Sequence, residues 1–277
     1  MIQNPPHSCP ACARAATRLS SSLIVKNVGE LPILRCADCG HLWIATNSDQ
    51  QRKIEESYSE DYSGYREDPY LSKVLRAELA GRFARLAPPP AAVLDVGCGN
   101  GQFLGLAKEA GYEVQGIDVS ESAAGMCRKR GIPAFSGDFL TAQFSRRYDL
   151  VTLWDVTEHL REPARFLGRA RDLLNPNGIL VLKIPSYGAL NFYALKVFRN
   201  LNGLLQAPSH CQFFCRSSLA ALLKREGYGE ITWIPPMQFR DVPQTGSLLK
   251  RIKRSIRGQV AKVAGNHNLY CIVKRSS

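Results

Sequence analysis

From Val242 to Ser277 the chain has no aspartate or glutamate, against eight lysines and arginines. The net charge of +12 is therefore uneven, with the basic excess gathered at one end. Such a stretch suits an anionic partner: a membrane surface, a phosphorylated substrate or nucleic acid. Long apolar runs are missing too. None reaches the roughly 20 residues that a helix needs to cross a bilayer. The N-terminus lacks the apolar core of a signal peptide, so a cytoplasmic location is expected, with membrane association through the basic stretch as an extension of it. Without a secretion signal, the nine cysteines point to metal ligation or free thiols in a reducing compartment, not to disulfides. What is present is globular in composition, at 45% hydrophobic and 22% charged residues. A length of 277 residues suits one domain with a small appendage.

The appendage is legible in the cysteines. Cys9-Pro-Ala-Cys12 and Cys36-Ala-Asp-Cys39 are two CxxC knuckles with 23 residues between them, and Gly40 follows the second as a tight turn requires. Two such pairs can set four thiolates tetrahedrally around Zn²⁺. Ser22 to Lys26 and Leu31 to Arg35 are strand-like, which suits a zinc ribbon over residues 1–46. Four protein ligands leave no open coordination position, so the expected metal is structural. His7 and His41 flank the knuckles and are expected outside the ligand set.

Residues 47–90 form a polar, tyrosine-rich connector (Tyr58, Tyr62, Tyr65, Tyr70) and then a helix. The connector reads either as a lid over the site or as a surface segment whose rings cover the core. Leu71, Val74, Leu75, Leu79, Phe83 and Leu86 recur at helical spacing. Pro88, Pro89 and Pro90 end that helix and border the main domain, 91–277.

That domain begins with Val93-Leu94-Asp95-Val96-Gly97-Cys98-Gly99-Asn100-Gly101, an apolar strand running into a glycine turn and then a helix. Glycines there let a ligand approach the backbone, at the carboxyl end of a parallel strand. The pattern is not the dinucleotide G-x-G-x-x-G, because Gln102 stands where its third glycine would fall. Alternation of strand and helix continues downstream, as an α/β domain requires. Tyr112 to Asp118 is a second strand closed by a carboxylate, 17 residues after Gly101. Asp118 there can accept hydrogen bonds from both hydroxyls of a ribose; it can also cap the next helix with Ser120.

The D-x-G-x-G-x-G pattern closely resembles motif I of the class I S-adenosylmethionine (SAM) methyltransferases. Asp155-Val156-Thr157-Glu158-His159-Leu160 resembles the "DVIEHL" motif IV of one large branch, and Leu173-Leu174-Asn175-Pro176-Asn177-Gly178 is similar to that family's turn before strand five. The resemblance covers Ala91 to Lys274. It implies a Rossmann-like seven-stranded methyltransferase sheet with helices on both faces and the last strand inserted antiparallel. It implies SAM against Asp95, Gly97, Cys98, Gly99 and Gly101, with Asp118 and Val119 at the ribose. It further implies Asp138 at the adenine amino group, Phe139 packed on the adenine ring, and Trp154 at the end of the fourth strand beside the cofactor. Alternatively, Asp138 is a turn residue.

The chemistry then needs an aligned nucleophile and, for an oxygen or carbon acid, a base. His159 is the first candidate, because its ordinary pKa suits proton transfer near neutrality, with Glu158 beside it to orient the ring. The competing reading is a polar first turn with a packed histidine. His210, in Pro208-Ser209-His210-Cys211-Gln212-Phe213-Phe214, is the second candidate, set against a plain loop histidine. The quinone-type O-methyltransferases, which the chain resembles here, have a similar Glu-His pair linked to a divalent metal. No further ligands are evident in the sequence, so a catalytic metal is not expected.

Two segments bear on the acceptor. Residues 186–209 sit at the usual substrate-loop position and hold an apolar run, Leu190 to Leu205. Residues 235–267 contain a basic amphipathic helix, Ser247 to Ala264. Either segment also reads as a helix docked on the core. Zinc-containing sugar C-methyltransferases are similar at the knuckles but carry a further C-terminal domain with no counterpart in these residues. The expected reaction is therefore methyl transfer to oxygen, ahead of carbon, of a small-molecule, saccharide or lipid-linked acceptor. The alternatives are an RNA methyltransferase gripping its substrate through ribbon and basic tail, or a non-catalytic SAM-binding scaffold subunit. Nucleic acid ranks behind, because Trp154-Asp155-Val156-Thr157 is not the N/D-P-P-Y/F pattern of amino-directed enzymes.

Overall fold

The computed structural model describes residues 8–15, 17–25, 28–58, 67–187, 207–235 and 268–275. The lid tyrosines Tyr62 and Tyr65, the apolar run at 190–205 and the basic helix at 247–264 lie outside these residues.

Strands β1 (Thr17–Val25), β2 (Gly29–Cys36) and β3 (Leu42–Ile44) form the ribbon. β1 and β2 are an antiparallel pair with Val25 opposite Gly29, and β3 returns along β2 with Leu34 opposite Trp43. Helix α1 (Ser48–Tyr58) leads away. Helix α2 (Pro69–Glu78) starts with the Asp68 carboxylate accepting from the N–H groups of Tyr70 and Leu71, a side-chain cap on a proline-led first turn. It widens into one π turn at Leu79–Phe83 and ends at Leu86, ahead of the three prolines.

The main domain alternates as the hydrophobic pattern requires. β4 (Ala92–Val96) is buried at every position, which is what a central parallel strand covered on both faces demands. There follow α3 (Gln102–Glu109), β5 (Glu113–Asp118), α4 (Glu121–Lys129, capped by Ser120), β6 (Ala134–Ser136), β7 (Tyr148–Trp154), α5 (Pro163–Leu173) and β8 (Leu174–Pro185). β9 (Gln212–Phe213), α6 (Arg216–Arg225), β10 (Tyr228–Ile234) and β11 (Asn268–Arg275) complete the order. β8 starts earlier than the sequence suggests. Tyr148 pairs with Leu174 but Leu150 with Ile179, so Asn175 to Gly178 bulge out of register, with Asn177 at φ +66°.

The large sheet runs β10-β11-β8-β7-β4-β5-β6. β11 lies antiparallel between β8 and β10, and the ladders from β8 through β6 are parallel. This is the seven-stranded sheet with an inserted last strand that the family resemblance implies.

The ribbon does not stand apart from this sheet. Its sheet runs β1-β2-β3-β9, so the fourth strand comes from the main domain. Cys9, Leu34, Cys36 and Trp43 share one buried apolar cluster with Leu182, Phe214 and Leu219. Burying that much apolar surface at about 25 cal/mol per Å² makes the contact a packed core, not a flexible tether.

Candidate active site

Two turns meet at the carboxyl ends of β4 and β7. The first is the glycine turn. Gly97, Gly99 and Gly101 all have positive φ (74°, 52° and 75°), the left-handed region where a side chain is strained. A Cβ on Gly97 would stand 2.5 Å from Val156 Cγ2, and one on Gly101 2.8 Å from Cys127 Sγ, whereas one on Gly99 would meet nothing within 4 Å. The outer side of Gly99 is thus open backbone, as a ligand cradle requires. Asp118 braces this turn: Gly99 N–H donates to its Oδ2 and Ser120 N–H to its Oδ1, both at 2.9 Å. Val119, next to it, is 76% exposed, an apolar side chain left open beside the carboxylate.

Other residues expected at the cofactor occupy different places. Asp95 is buried and accepts from Thr152 Oγ1 at 2.6 Å; burial holds its carboxyl well above the usual carboxylate range. It supports the turn from beneath. Cys98 turns its side chain into the core, 3.7 Å from Cys127 Sγ, so only its backbone can face a ligand. Phe139 is corrected outright. It is 2% exposed and packs with Phe144 and Phe166, because an aromatic ring gains more in that cluster than on an open rim. Asp138 is exposed, and its carboxylate accepts from Leu140 N–H at 3.0 Å, which leaves both the adenine contact and the turn role open to it. Trp154 packs its ring against Phe103 and Tyr270, and its indole N–H is buried with no acceptor among the described residues.

The second turn carries motif IV. Asp155 takes φ +53°, and its carboxylate pairs with Lys183 at the end of β8. The chain then coils into a short 3-10 turn, Thr157–His159. Glu158 is fully buried, and neither carboxylate oxygen has a hydrogen-bond partner among the described residues. Burial, then the Asp155 charge, push its carboxyl up to about 8. His159 reaches the surface with Nδ1 2.8 Å from the Ser209 carbonyl, and partial desolvation lowers its pKa.

His210 comes from across the chain to join this pair. Its ring meets that of His159 edge to face, it is buried, and burial with the neighbouring imidazole lowers its pKa to about 4. Ligand atoms of Glu158, His159 and His210 lie within 4.8 Å of one another. A third potential ligand, not evident in the sequence, thus stands beside the Glu-His pair. A buried carboxylate without partners is costly, and a proton or a cation relieves that cost. The donor set of one carboxylate and two imidazoles fits a divalent cation.

Sequence reasoning missed three further residues. Tyr187 places its hydroxyl 3.0 Å from His210 Nδ1. Lys183 sets a positive charge beside Glu158. Gln102 donates to the Asp68 carbonyl (2.7 Å) and to Ser72 (2.8 Å), fastening α2 to the glycine turn. Only Gln102 left a signal, as the residue that breaks the dinucleotide pattern.

At the far end of the ribbon, Cys9, Cys12, Cys36 and Cys39 converge. Cys9 and Cys39 have Sγ atoms 3.7 Å apart, Cys12 and Cys36 3.6 Å. A tetrahedron with Zn–S bonds of about 2.3 Å has edges of about 3.8 Å, so the thiols fit that ion. His41 lies outside this set.

A model of the methyltransferase-domain family matches residues 66–231. The chain belongs to that family. Among curated relatives it is similar to the ubiquinone biosynthesis O-methyltransferase of Aromatoleum aromaticum, 34% identical over 31% of this chain and 40% of the relative. The enzyme of the same name from Bordetella bronchiseptica is 28% identical over 56% of this chain and 69% of its own length. Among solved structures, a SAM-dependent methyltransferase from Archaeoglobus fulgidus superposes with a TM-score of 0.52 at 22% identity, over 75% of this chain and all of the other. The match to the first relative thus spans less than half of that protein. The family is that of methyltransferase domains, and the fold is the one seen in SAM-dependent methyltransferases. Among the described residues no helix is long and apolar enough to cross a membrane.

Proposed function

We propose that this methyltransferase acts on an oxygen of a small-molecule acceptor, one whose hydroxyl is acidic enough to lose its proton near neutrality. SAM, when bound, supplies an electrophilic methyl group on a good leaving group. The chain's part is to hold the cofactor, align the acceptor and take its proton. Open backbone at Gly99, the Asp118 carboxylate and exposed Val119 fit the cofactor's polar and apolar parts. Val156 packs on Gly97, so the glycine turn and the motif IV turn adjoin.

The observation that carries the reading is the convergence of His159 and His210 on the Glu158 carboxylate, which has no hydrogen-bond partner among the described residues. His159, the most open of the three, takes the acceptor proton, and His210 and Glu158, both uncharged near neutrality, hold its ring in place from the buried side. A divalent cation held by the three would replace that role: Glu158 would then be ionised, the cation would acidify the acceptor hydroxyl, and its proton would pass to solvent. Relatives named as ubiquinone biosynthesis O-methyltransferases support oxygen over carbon and a phenolic acceptor over a saccharide. We further propose that the four ribbon thiolates hold a structural Zn²⁺, since all four positions are filled by protein. The basic stretch from 242 onward supports a lipid-linked acceptor presented at an anionic surface. Liposome co-sedimentation of wild type against a Lys250/Arg251/Lys253/Arg254 charge-reversal variant tests that, and equal binding removes it.

The test of the reaction is transfer of labelled methyl from SAM to catechol, to a simple phenol and to a nucleotide-linked keto-sugar, with products resolved by mass. Methyl ethers from catechol are the expected products. A carbon-methylated keto-sugar, or methyl incorporation into RNA alone, overturns the assignment to oxygen.

A further inference from the structure

β9 is only two residues long, yet both of its edges are occupied. On one edge lies ribbon strand β3, with Leu42 opposite Phe213 and Trp43 opposite Gln212. Ile44 N–H donates to the Cys211 carbonyl at 2.9 Å. On the other edge lies the site. Cys211 N–H donates to the Glu158 carbonyl, and Tyr187 N–H to the Phe214 carbonyl, each at 2.9 Å. His210 is the residue just before this doubly bonded segment.

A two-residue strand has no hydrophobic alternation with which to fix its own register, and a slip of one residue moves the backbone by about 3.3 Å and reverses every side chain. That distance would take His210 out of a cluster whose atoms lie within 4.8 Å. Something must pin the register. The candidate is a buried bond from His41 Nε2 to Gln212 Oε1, 2.8 Å long, between a ribbon side chain and a β9 side chain. Both residues are buried, so either one slipping would strand a polar group without a partner. Apolar packing supports the same register: Leu31, Ile33, Leu42 and Ile44 of the ribbon share one cluster with Phe213 and Tyr187. On the opposite face, the His41 ring lies 4.5 Å from that of Phe214. The second knuckle is tied in as well, since Ser217 Oγ donates to the Cys39 carbonyl at 2.9 Å.

We infer that the cysteine ribbon is a positioning element of the acceptor site: β3 holds β9, the His41–Gln212 bond fixes the register, and His210 is thereby placed against Glu158 and His159. Gln212 and His41 are positioning residues, acting through His210. The inference rests on the proposed role of that cluster for its meaning, but its physical content is a placement that can be measured without turnover. Loss of metal from Cys36 and Cys39 is transmitted through His41 and Leu42 to His210, while the glycine turn on the far side of β7 is left intact.

The experiment compares zinc-loaded wild type, Gln212→Leu and Gln212→Glu. Hydrogen exchange is read over residues 207–214, carbethoxylation of His210 by diethyl pyrocarbonate is read by peptide mass, and S-adenosylhomocysteine (SAH) binding is read by calorimetry. In Gln212→Leu, exchange over 207–214 and modification of His210 should each rise about tenfold or more. SAH affinity should stay within about twofold. Gln212→Glu keeps an acceptor for His41 and should restore protection. Chelator-treated wild type should show the Gln212→Leu pattern; if it unfolds throughout, the metal-loaded variants decide. Unchanged exchange and modification in Gln212→Leu overturn the inference, as does a rise that Gln212→Glu fails to reverse. Since none of these readouts needs an acceptor, failure here leaves the proposed reaction standing, and failure of the reaction leaves this coupling standing.

Discussion

His159 and His210 meet edge to face, ring centres 4.6 Å apart and planes at 84°. One ring reaches the surface and the other is buried, and the two should answer differently to substitution. His210, with its pKa lowered to about 4, is neutral near neutral pH. The exposed His159 is the better proton acceptor, because solvent relieves the charge that it takes on. His159→Ala should therefore cut kcat by about 10²- to 10⁴-fold, the range for removing a general base. His210→Ala should cut it less and should not shift the acid limb of the pH profile. Steady-state rates with catechol from pH 5 to 9 check both, and equal pH profiles for wild type and His159→Ala would exclude His159 as the base.

Glu158 makes a separate claim about stability. Burial, then Asp155, raise its folded pKa from an ordinary 4.5 to about 8. Between those values the folded protein keeps a proton that the unfolded chain has lost. The stabilisation is complete below pH 4.5 and is lost as pH rises through 8. The slope is at most about 1.4 kcal/mol per pH unit. Urea titrations at pH 5.5 and 7.5 should show wild type losing stability over that interval and Glu158→Gln losing markedly less. Mn²⁺ should flatten the wild-type slope by supplying a countercharge to the carboxylate, and should do nothing for Glu158→Gln. Parallel behaviour of the two proteins would mean that the carboxylate is already compensated.

Much of this was legible before any coordinates. β4 and β7 announce themselves as short apolar runs ending at a glycine turn or an acidic residue, and β5 by the carboxylate that closes it. The four knuckle cysteines are set by spacing alone, because CxxC fixes local geometry. What failed did so for identifiable reasons. Phe139 was assigned to the adenine by family position, but a cluster of phenylalanines outcompetes an open rim for that ring. The third member of the acid–histidine cluster could not be paired with the other two, since His210 arrives through β9, and two residues carry no periodicity. The widened turn at Leu79–Phe83 keeps the apolar spacing of an ordinary helix, so nothing in the pattern marks it, whereas the bulge at Asn175 to Gly178 lies where the sequence already shows a turn.

Gly97 and Gly99 should fail for different reasons when changed to alanine. At Gly97 a Cβ meets Val156 at 2.5 Å and φ is +74°, so the protein itself resists. The expected cost is about 1–3 kcal/mol of stability, together with loss of SAH binding. At Gly99 the Cβ has open space, and the left-handed backbone alone costs about 1–2 kcal/mol. The methyl group then projects where the cofactor approaches. Gly99→Ala should keep most of its stability yet bind SAH at least about tenfold more weakly, a difference of about 1.4 kcal/mol. Thermal melts and calorimetry on the two variants separate the cases. Full SAH affinity in Gly99→Ala would place the cofactor elsewhere.

The ribbon thiols carry the last expectation. With Sγ pairs at 3.6 and 3.7 Å, the four sulfurs already stand near the edge length of a ZnS₄ tetrahedron. Elemental analysis should find one zinc per chain, and Cys12→Ser or Cys36→Ser should lose it. Cys271→Ala removes a buried cysteine of β11 that is outside the four-thiol set, and should retain the metal. Binding by thiolates releases protons, so zinc affinity should fall as pH falls, and acid should strip the ion before it unfolds the large sheet. The order of events is the informative part. Zinc loss, followed by a local change at β9, followed only later by loss of the β4–β8 ladder, is what a ribbon fused to the site through β3 and β9 requires. A single cooperative loss of all three would mean that ribbon and sheet fold as one unit, with the metal holding up the whole of it.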